Sequence, residues 1–490
     1  MADQPILDDR PKEECGVVGL YTPGEEAARV AFFALFALQH RGQESAGIAV
    51  SDGSDVRMHK DMGLVSQVFH EENLEALPGE MAVGHTRYST TGASVLRNAQ
   101  PIFCQSLVGE IAVAHNGNLI NARELRAEME SEGEPFDGTS DSEVIARLLV
   151  RHMHAGPEHA VAHVMRKIRG AYSVAVLTPR MVLAFRDPNG IRPLVAGRVG
   201  EGWMVASESC AFGPVGGQIE HELQPGELAI IDRKGMRFAQ GAPPNGRNMC
   251  LFEFIYFARP DSRMYGTVLY TARERMGEHL AREHPIAADA VVPVPDSGIP
   301  AALGYSRESG IPFVEGMTKS RYIHRTFIQP DQRMREMGVR MKLTPIVEHI
   351  QGKRIVLVDD SIVRATTTTQ IVKLLFEAGA TEVHVRITAP PIKFPCFYGI
   401  DMCSRGELAA AVMSVEQIRA KVGATSLGYL SIEGATAAVG SPEHEFCLAC
   451  FNGHYPIPVP DDLSKQAFEV PPDVGQMETL STGQLKLIGT

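Results

Sequence analysis

The first half of the chain combines short apolar runs with longer stretches in which apolar residues recur every three or four positions. The short runs are rich in branched and aromatic residues, which is typical of strands. The longer stretches have the spacing of one helix face. The pattern predicts strands at residues 16–20, 47–50, 111–114, 172–177 and 181–185, and helices at 27–38 and 142–150. Strands and helices mix here without strict alternation.

The second half has a different order, in which a strand, a loop, a helix and a strand follow one another. Such an order predicts a βαβ unit on a parallel sheet. In the helix, Ile371, Leu374, Leu375 and Ala378 share one face, and Gly379 is a natural C-terminal stop. The predicted elements are a helix at 367–378 and strands at 290–294, 355–358 and 382–387.

Turn-forming residues divide the chain into domains. Residues 241–246 read Gly-Ala-Pro-Pro-Asn-Gly, which predicts a linker. The last stretch is polar, contains several prolines and has little periodicity. We therefore predict an N-terminal tail at 1–14, domains at 15–243 and 244–455, and a polar tail at 456–490.

Charge and hydropathy exclude several classes of protein. With 47 basic and 59 acidic residues, the formal net charge is −12, whereas nucleic-acid-binding surfaces are usually basic. No apolar run approaches the roughly 20 residues that cross a bilayer, and residues 1–10 lack the regions of a signal peptide. We expect a cytoplasmic protein without a nucleic-acid or membrane partner. Its eight cysteines should be thiols or metal ligands rather than disulfides.

The first domain opens with Cys15-Gly16-Val17-Val18-Gly19, and several polar segments follow it. A lone cysteine beside a strand is usually a core residue. Ser140 and Asp141 would serve equally well as an ordinary helix N-cap. A functional interpretation comes from four further segments and from their order along the chain. They are Gln39-His40-Arg41-Gly42, His85-Thr86-Arg87-Tyr88-Ser89-Thr90, His115-Asn116-Gly117-Asn118 and Thr139-Ser140-Asp141-Ser142-Glu143.

Together these segments resemble the class II glutamine amidotransferase domain, an N-terminal-nucleophile hydrolase, over roughly the first half of the chain. The resemblance implies a four-layer αββα sandwich. It also implies that the Cys15 thiol attacks the glutamine amide while the α-amine of the same residue handles the proton. A free α-amine requires that residues 1–14 be removed as a propeptide.

The same resemblance assigns the other groups of a glutaminase site. It implies an oxyanion hole formed by Asn116 and Gly117. It implies that Arg87 pairs with the glutamine α-carboxylate, that Asp141 takes the α-ammonium, and that Thr90 is a further contact. Considered singly, Arg87 and Asp141 would be an ordinary surface pair.

In the second domain, four apolar residues are followed by Asp359, Asp360 and a hydroxyl-rich loop that leads into a helix. Paired aspartates alone are common at turns. However, α/β sheets bind ligands at the carboxyl ends of strands, and a helix N-terminus suits a phosphate. The whole stretch resembles the phosphoribosyl pyrophosphate (PRPP) loop of type I phosphoribosyltransferases. That resemblance implies PRPP contacts from Asp359, Asp360, Ser361, Val363, Arg364, Ala365, Thr366, Thr367 and Thr368.

Two further loops fit a phosphoribosyltransferase. Residues 292–298 resemble the pyrophosphate-side loop, which implies Mg²⁺ held by Ser297, Asp359 and Asp360, a set of oxygens that this ion accepts. Residues 319–328, beginning with Lys319, resemble the flap over PRPP, although basic residues on a loop are usually just solvated. Ala365 and His324 stand where the family has glycine, which puts the loop geometry and the flap in question.

Cys447 and Cys450 form a CxxC pair, which is compatible with zinc, redox chemistry or half of an iron–sulfur site. Spacing does not select their partners among the remaining cysteines. The surrounding segments, however, resemble the iron–sulfur branch of the glutamine PRPP amidotransferases over nearly the whole chain. This resemblance implies a [4Fe–4S] cluster bound by Cys250, Cys396, Cys447 and Cys450, rather than by Cys104, Cys210 or Cys403.

The expected function is transfer of the amide nitrogen of glutamine to PRPP, the first committed step of purine synthesis. The resemblance also implies a homo-oligomer that purine nucleotides inhibit. Three alternatives stay open: another class II amidotransferase, which would lack the Asp359-Asp360 loop; a non-catalytic PRPP sensor, which would not need the glutaminase motifs; and a zinc-stabilised interaction protein, which explains only the cysteines.

Overall fold

The computed structural model describes residues 15–88, 94–106, 109–320, 343–402 and 404–460. Its first half contains two antiparallel sheets. The seven-stranded sheet has the order β11-β9-β10-β1-β4-β2-β3, and the six-stranded sheet has the order β13-β12-β8-β7-β6-β5. The strands are β1 Gly16–Tyr21, β2 Ser45–Ser51, β3 Val56–Met62, β4 Met81–Arg87, β5 Ile102–Ser106, β6 Gly109–Leu119, β7 Gly170–Thr178, β8 Met181–Arg186, β9 Val195–Val199, β10 Gly202–Ala206, β11 Gln218–Glu222, β12 Glu227–Asp232 and β13 Gly235–Gln240.

Three layers of buried apolar side chains pack the two sheets against each other and against helices on their outer faces. Side chains of β1, β2, β6 and β7 meet between the two sheets. The outer face of the seven-stranded sheet packs on one group of helices, and that of the six-stranded sheet on another. The expected αββα sandwich is therefore confirmed. The first group is α1 Ala27–Ala37, α2 Val65–Val68 and α3 Glu71–Glu75, and the second is α4 Ala122–Ser131, α5 Asp141–His152 and α6 Pro157–Lys167.

The second half is built on a four-stranded parallel sheet of order β17-β20-β21-β22, which confirms the predicted parallel sheet. Its central strand is an apolar run with no exposed side chain from Ile355 to Val358. Its strands are β17 Ala290–Pro293, β20 Arg354–Asp359, β21 Glu382–Ile387 and β22 Ser426–Tyr429, and its helices are α7 Leu269–Glu283, α8 Ile299–Ser309, α9 Val347–Ile350, α10 Thr366–Glu377, α11 Ala409–Val412, α12 Val415–Val422, α13 Ile432–Val439 and α14 Ala449–Asn452.

Shorter elements complete the second half. Three two-stranded pairs are β14 Met249–Cys250 with β23 Phe446–Cys447, β15 Arg263–Met264 with β16 Thr267–Val268, and β18 Met317–Lys319 with β19 Leu343–Pro345. A π-helical turn spans Glu253–Phe257, and 3₁₀ turns span Leu96–Asn98, Met153–Ala155, Ser209–Ala211, Gly213–Val215, Arg405–Glu407 and Glu443–Glu445.

The two halves share packed surface. No strand or helix lies between β13 and β14, where the linker is predicted. The apolar core of the second half continues onto Ile120, Ala171 and Ile191 of the first half. Among the described residues, no helix is both long enough and apolar enough to cross a bilayer.

Several predicted positions lie outside the described residues. They are the propeptide 1–14, Thr90, residues 321–328 of the flap with His324, Cys403, and residues 461–490 of the tail.

Candidate active sites

Cys15 lies directly before β1, which is paired with β4 on one side and β10 on the other. Its side chain is buried, and the thiol donates a hydrogen bond to the carbonyl oxygen of Tyr88 at 3.3 Å. Burial raises the pKa of the Cys15 thiol to about 11, although the nearby Arg87 guanidinium opposes the shift. At neutral pH the thiol is therefore protonated, and it needs a base before it can act as a nucleophile.

Asn116 and Gly117 lie in β6, and their backbones pair with Ser173 and Tyr172 of β7. Among the described residues, neither the Nδ2 nor the Oδ1 of Asn116 has a hydrogen-bond partner, although the side chain is buried. A buried carboxamide without partners is costly and indicates a ligand site. Gly117 has φ +139°, and a Cβ there would lie 2.0 Å from the oxygen of Ala171. Only glycine fits that position.

Asp141 is the first residue of α5 and is buried. Its Oδ2 accepts a hydrogen bond from the backbone N–H of Leu119 at 2.9 Å, so that it ties the end of β6 to the helix. Its charge and that of Arg87 are both among the influences on the pKa of the Cys15 thiol. The structure thus brings Cys15, Arg87 and Asp141 into one buried region, and Thr90 lies outside the described residues.

Two buried histidines belong to this region, and their motifs were noted in the sequence without a role. His85 Nε2 donates to the carbonyl oxygen of His115 at 3.0 Å. His115 Nδ1 is 3.1 Å from Ser142 Oγ and 3.8 Å from Asp141 Oδ1. Burial lowers the pKa of His85 to about 3 and also lowers the pKa of His115. Both rings are therefore neutral at physiological pH and position the backbone beside Asn116.

In the second half, two aspartates follow the central strand β20, as the sequence predicts. Asp359 and Asp360 are both buried at its carboxyl end. Ser297, which follows the neighbouring strand β17, donates from Oγ to Asp360 Oδ1 at 2.6 Å. Ser361 Oγ donates to Asp360 Oδ2 at 2.6 Å. Adjacent parallel strands end at the same edge, which is why residues far apart in sequence form one cluster of oxygens.

Residues 361–365 connect this cluster to the N-terminus of α10. Thr366, Thr367 and Thr368 form the first turn of that helix, where backbone N–H groups lack intrahelical acceptors. Ala365 lies directly before it and adopts a left-handed conformation, with φ +67° and ψ 6°. The loop therefore keeps the left-handed conformation that glycine would adopt, with alanine in its place. The strain costs about 1–2 kcal/mol relative to glycine.

Two basic side chains border the loop. Lys319 Nζ donates to Asp296 Oδ2 at 2.6 Å, which places the start of the predicted flap beside the 292–298 loop. Arg364 pairs with Glu407 at 2.6 Å and is thereby directed to the side of the loop. Val363 accepts a backbone hydrogen bond from Ala409 at 2.7 Å, which fixes the loop to α11.

Arg273 of α7 is a buried cation that sequence reasoning missed. Its guanidinium donates to the carbonyl oxygens of Phe254 at 2.9 Å and Ala258 at 2.6 Å, and thereby braces the π-helical turn. Burial lowers the pKa of Arg273 to about 10, and the charge of Asp360 opposes the shift. The sequence around Arg273 is that of an ordinary amphipathic helix, so nothing in it predicts that this arginine is buried and binds backbone carbonyls.

The four cysteines of the predicted cluster come together at the junction of the halves. Cys250 and Cys447 are register partners in the β14–β23 pair, and the backbone carbonyl of Cys450 accepts hydrogen bonds from the N–H groups of Lys393 and Phe394. Burial raises the pKa values of the Cys250, Cys447 and Cys450 thiols, that of Cys447 to about 12, and repulsion between neighbouring thiolates of the group acts in the same direction, while the Arg192 charge opposes the shift at Cys250 and Cys447. Four thiolates would therefore require a cationic partner.

A buried ion network joins the two halves. Arg41 pairs with Glu208 through Nε and with Glu253 through Nη2, the latter at 2.7 Å. Arg192 Nη1 lies 3.7 Å from Glu253. Burial alone would lower the pKa of Arg41, but the two carboxylates raise it above its usual value. Because Glu253 belongs to the second half and Arg41, Arg192 and Glu208 to the first, the network fixes one against the other.

Comparison with known proteins gives two family matches. A model described as a glutamine amidotransferase domain matches residues 85–213. A second, described as a phosphoribosyl transferase domain, matches residues 271–390. The first match covers Arg87, Asn116 and Asp141 but not Cys15, and the second covers Ser297, Asp359 and Asp360.

Whole-length relatives match as well. An amidophosphoribosyltransferase of Synechococcus elongatus is 49% identical over 463 residues, covering 93% of this chain and 94% of the relative. One of Methanothermobacter thermautotrophicus is 48% identical over 458 residues, covering 93% and 97%. A solved structure of glutamine PRPP amidotransferase from B. subtilis, complexed with ADP and GMP, superimposes with a TM-score of 0.88 at 44% identity, covering 92% of this chain and 100% of that one.

Proposed function

This chain belongs to the amidophosphoribosyltransferase family, and from that premise we propose that its two candidate sites carry the two halves of one reaction. The protein transfers the amide nitrogen of glutamine to PRPP and releases 5-phosphoribosylamine, glutamate and pyrophosphate, the first committed step of purine synthesis. We assign the glutaminase half to residues 15–243 and the phosphoribosyl transfer to residues 244–455.

In the glutaminase half, Cys15 is the nucleophile. Its sulfur bonds to the amide carbon of glutamine, and the carbonyl oxygen gains the negative charge. The Asn116 side chain and the Gly117 backbone N–H stabilise that charge, a role supported by the unpartnered Asn116 carboxamide. Arg87, Asp141 and Thr90 bind the charged end of glutamine. Ammonia leaves with the proton taken from the thiol, and water then releases glutamate from the thioester.

In the second half, ammonia attacks the anomeric carbon of PRPP and displaces pyrophosphate. Asp359 and Asp360 bind the ribose hydroxyls, and Lys319 approaches the pyrophosphate. The N-terminus of α10 suits the 5′-phosphate because the helix dipole and the backbone N–H groups of a first helical turn favour an anion there. The phosphate contacts are Ser361, Val363, Arg364, Ala365, Thr366, Thr367 and Thr368.

Ser297 and the two aspartates fit Mg²⁺. The Ser297 hydroxyl and the Asp360 carboxylate already lie 2.6 Å apart, and hydroxyl and carboxylate oxygens are ligands that this hard cation accepts. When bound, Mg²⁺ would neutralise charge on the pyrophosphate.

Base chemistry at Cys15 requires a processed chain. The raised pKa of the thiol calls for a base in the pocket, and an α-amine has a reference pKa near 8. We propose that residues 1–14 are removed after Glu14. The mass of active protein should then match a chain that begins at Cys15. Full activity in a chain that retains Met1 or Ala2 would contradict this role of the amine.

The four cysteines Cys250, Cys396, Cys447 and Cys450 fit a [4Fe–4S] cluster better than one zinc ion. Tetrahedral zinc with bonds of about 2.3 Å would bring the sulfurs to about 3.8 Å from one another. Among the described residues, His40, Glu208 and Cys210 form the only group of three potential ligand atoms that all lie within 4.8 Å of one another. No three of the four cysteine sulfurs meet that distance. The wider spacing of the four thiols therefore leaves room for a larger group, whose role would be structural.

Iron analysis tests this assignment. Protein purified without oxygen should be brown and hold about four irons per chain. Serine at any one of the four positions should reduce folded yield, because a metal bound only by the folded state contributes to stability. Serine at Cys104, Cys210 or Cys403 serves as the control and should leave the iron in place. Colourless, active protein with one zinc would contradict the proposal.

The relative from B. subtilis is described as complexed with ADP and GMP. By that analogy we propose that purine nucleotides inhibit this protein. From its membership of the family we propose that it forms a homo-oligomer. Light scattering and inhibition assays with both nucleotides would test these two properties.

One observation carries the proposal as a whole: a single chain holds both the buried Cys15 pocket and the Ser297–Asp360 cluster, joined by the Arg41–Glu253 pair. Pyrophosphate release should require PRPP together with either glutamine or ammonia. Release with PRPP alone, or glutamine use that is insensitive to loss of Cys15, would contradict it.

A further inference from the structure

Three consecutive residues of the second half contact the glutaminase half beside its oxyanion hole. The backbone oxygen of Phe397 accepts a hydrogen bond from Asn118 Nδ2 at 2.9 Å. The backbone oxygen of Tyr398 accepts from Arg192 Nε at 2.8 Å. Gly399 has φ +113°, and a Cβ there would lie 3.0 Å from both the Cα and the carbonyl carbon of Gly117. These residues, 397–399, form a segment that we call the supporting segment.

The position of Gly117 depends on both of its neighbours. On one side it pairs with Tyr172 of β7, where Ala171 leaves no space for a Cβ. On the other side the backbone of Gly399 closes against it. Gly117 has φ +139° and no side chain to restrict its backbone, so the packed neighbours on both sides restrict the orientation of its peptide group.

We propose that Asn118 and Gly399 are positioning residues that orient the oxyanion-hole backbone at Gly117. The proposal rests on the role assigned to Asn116 and Gly117 under the proposed function. It adds that the second domain supplies part of the geometry of the glutaminase site. Cys396 directly precedes the supporting segment, so the residues assigned to the cluster and the oxyanion hole are linked through one short stretch of backbone.

The kinetic consequence is specific. An oxyanion donor acts on charge that develops in the transition state, so misplacing it lowers kcat and leaves the KM for glutamine nearly unchanged. A displacement of about 1 Å can cost on the order of 10²-fold in rate. Synthesis from added ammonia does not use the oxyanion hole and should be unaffected.

The first test is Gly399→Ala. The added Cβ would meet the Gly117 backbone at 3.0 Å and requires a shift of a few tenths of an ångström. We expect glutamine-dependent kcat to fall about 10-fold while ammonia-dependent synthesis stays near the wild-type rate. Gly156→Ala is the matched control. Gly156 has φ +98° in the same half as Gly117, and nothing lies within 4 Å of the position of its Cβ. It imposes a similar backbone strain without touching the oxyanion hole.

The second test uses Asn118→Ala and Asn118→Asp, which both lack the Nδ2–H donor. If the residue only fills space, Asp should behave as wild type, because it has nearly the shape of Asn. If the donor to Phe397 matters, both variants should lose kcat. A charge effect on substrate would appear instead as a raised KM for glutamine.

A binding measurement separates positioning from general damage. Glutamate γ-semialdehyde accepts the Cys15 sulfur at its aldehyde carbon. The C=O double bond becomes a single bond, and the thiol proton moves to the resulting oxygen, which occupies the oxyanion hole as the hydroxyl of a thiohemiacetal. The semialdehyde thus probes the geometry of that hole. Its affinity should fall in proportion to kcat in the Asn118 and Gly399 variants, whereas the affinity for glutamate should not. Unchanged kcat and semialdehyde affinity in both Asn118 variants and in Gly399→Ala would overturn the proposal.

Cys15→Ala keeps this inference distinct from the proposed function. If that variant still uses glutamine, the assignment of the nucleophile fails. If it loses glutamine use while the Asn118 and Gly399 variants keep full kcat, only the positioning role fails.

Discussion

The two candidate sites differ in how their residues reach one place. The phosphoribosyl site is nearly continuous in sequence, since Asp359 to Thr368 run from a strand into a helix and only Ser297 and Lys319 join from elsewhere. The glutaminase site collects Cys15, Arg87, Asn116 and Asp141 from four separate segments of a sandwich. A continuous site depends on one loop, whereas a dispersed site depends on the packing of a whole domain.

The sites also differ in electrostatics, in keeping with their substrates. Burial keeps Cys15 protonated and keeps His85 and His115 neutral. That uncharged environment suits the uncharged amide of glutamine. The second site gathers carboxylates, hydroxyls and a helix N-terminus, which suit a polyanion and its metal.

The largest expected effect is loss of the nucleophile from the dispersed site. Cys15→Ala should lower glutamine-dependent synthesis by on the order of 10⁴-fold, because no other group can form the thioester. Synthesis from ammonia should remain near the wild-type rate, measured as pyrophosphate release. Cys104→Ala, at another buried cysteine of the same half, should leave both rates intact. Equal loss of both activities in Cys15→Ala would show that the two sites are not separable.

The next effect concerns the continuous site. Asp359→Ala combined with Asp360→Ala should lower both the glutamine- and the ammonia-dependent rates by on the order of 10³-fold, since both routes end on PRPP. Asp289→Ala is a matched control, because Asp289 is partly exposed and pairs with Arg354 at the opposite end of β20. Ammonia-dependent activity that survives the double substitution would place the PRPP site elsewhere.

A third substitution acts on the link between the sites. Glu253→Gln leaves Arg41 and Arg192 buried with one carboxylate fewer, and should lower the free energy of unfolding by about 3 kcal/mol. We take the lower end of the range for buried pairs because Arg41 retains Glu208. Denaturant titration would measure this change in the free energy of unfolding. Glu220→Gln, in an exposed pair with Arg198, should change it by less than about 0.5 kcal/mol. Equal effects would mean that the buried network contributes nothing beyond a surface pair.

The effect that is smallest at neutral pH is the acid dependence of the glutaminase half. His85 has a folded-state pKa of about 3, below the unfolded value near 6.5, so the unfolded chain binds more protons between these values. The stability due to neutral His85 is complete above pH 6.5 and is lost as pH falls toward 3, by at most about 1.4 kcal/mol per pH unit. His85→Gln should flatten this slope in denaturant titrations across that range. An unchanged slope would mean that His85 is solvated in the folded state.

Local sequence patterns predicted much of the fold. The apolar run of β20, the helix that follows it and the first strand were found within one or two residues of their bounds, because burial and periodicity are encoded locally. The order of the strands within each sheet could not be predicted from the sequence. Strands β1 and β10 are neighbours although some 180 residues separate them in sequence, and no local property records which apolar edges meet.

The residues of the candidate sites also divide into those that the sequence predicted and those that it did not. The motifs pointed to Cys15, Asn116 and the aspartates because the segments around them resemble those of known families. They gave no role to His85 or His115, and Arg273 was missed, because a neutral buried histidine and an arginine that braces backbone carbonyls have no sequence signature of their own. The contact between Gly399 and Gly117 was likewise invisible, since it joins two glycines 282 residues apart.

Local order along the chain was enough to point to the groups on which the proposed chemistry rests: Cys15 before a strand, Asp359 and Asp360 at the end of a buried strand, and the Cys447–Cys450 CxxC pair. Tertiary structure decided which of these groups act together and in what environment. The raised pKa of Cys15, the unpartnered carboxamide of Asn116 and the support of Gly117 by Gly399 all follow from desolvation and packing between distant segments. These effects depend on the dielectric and the neighbours at each group, which only the folded chain supplies.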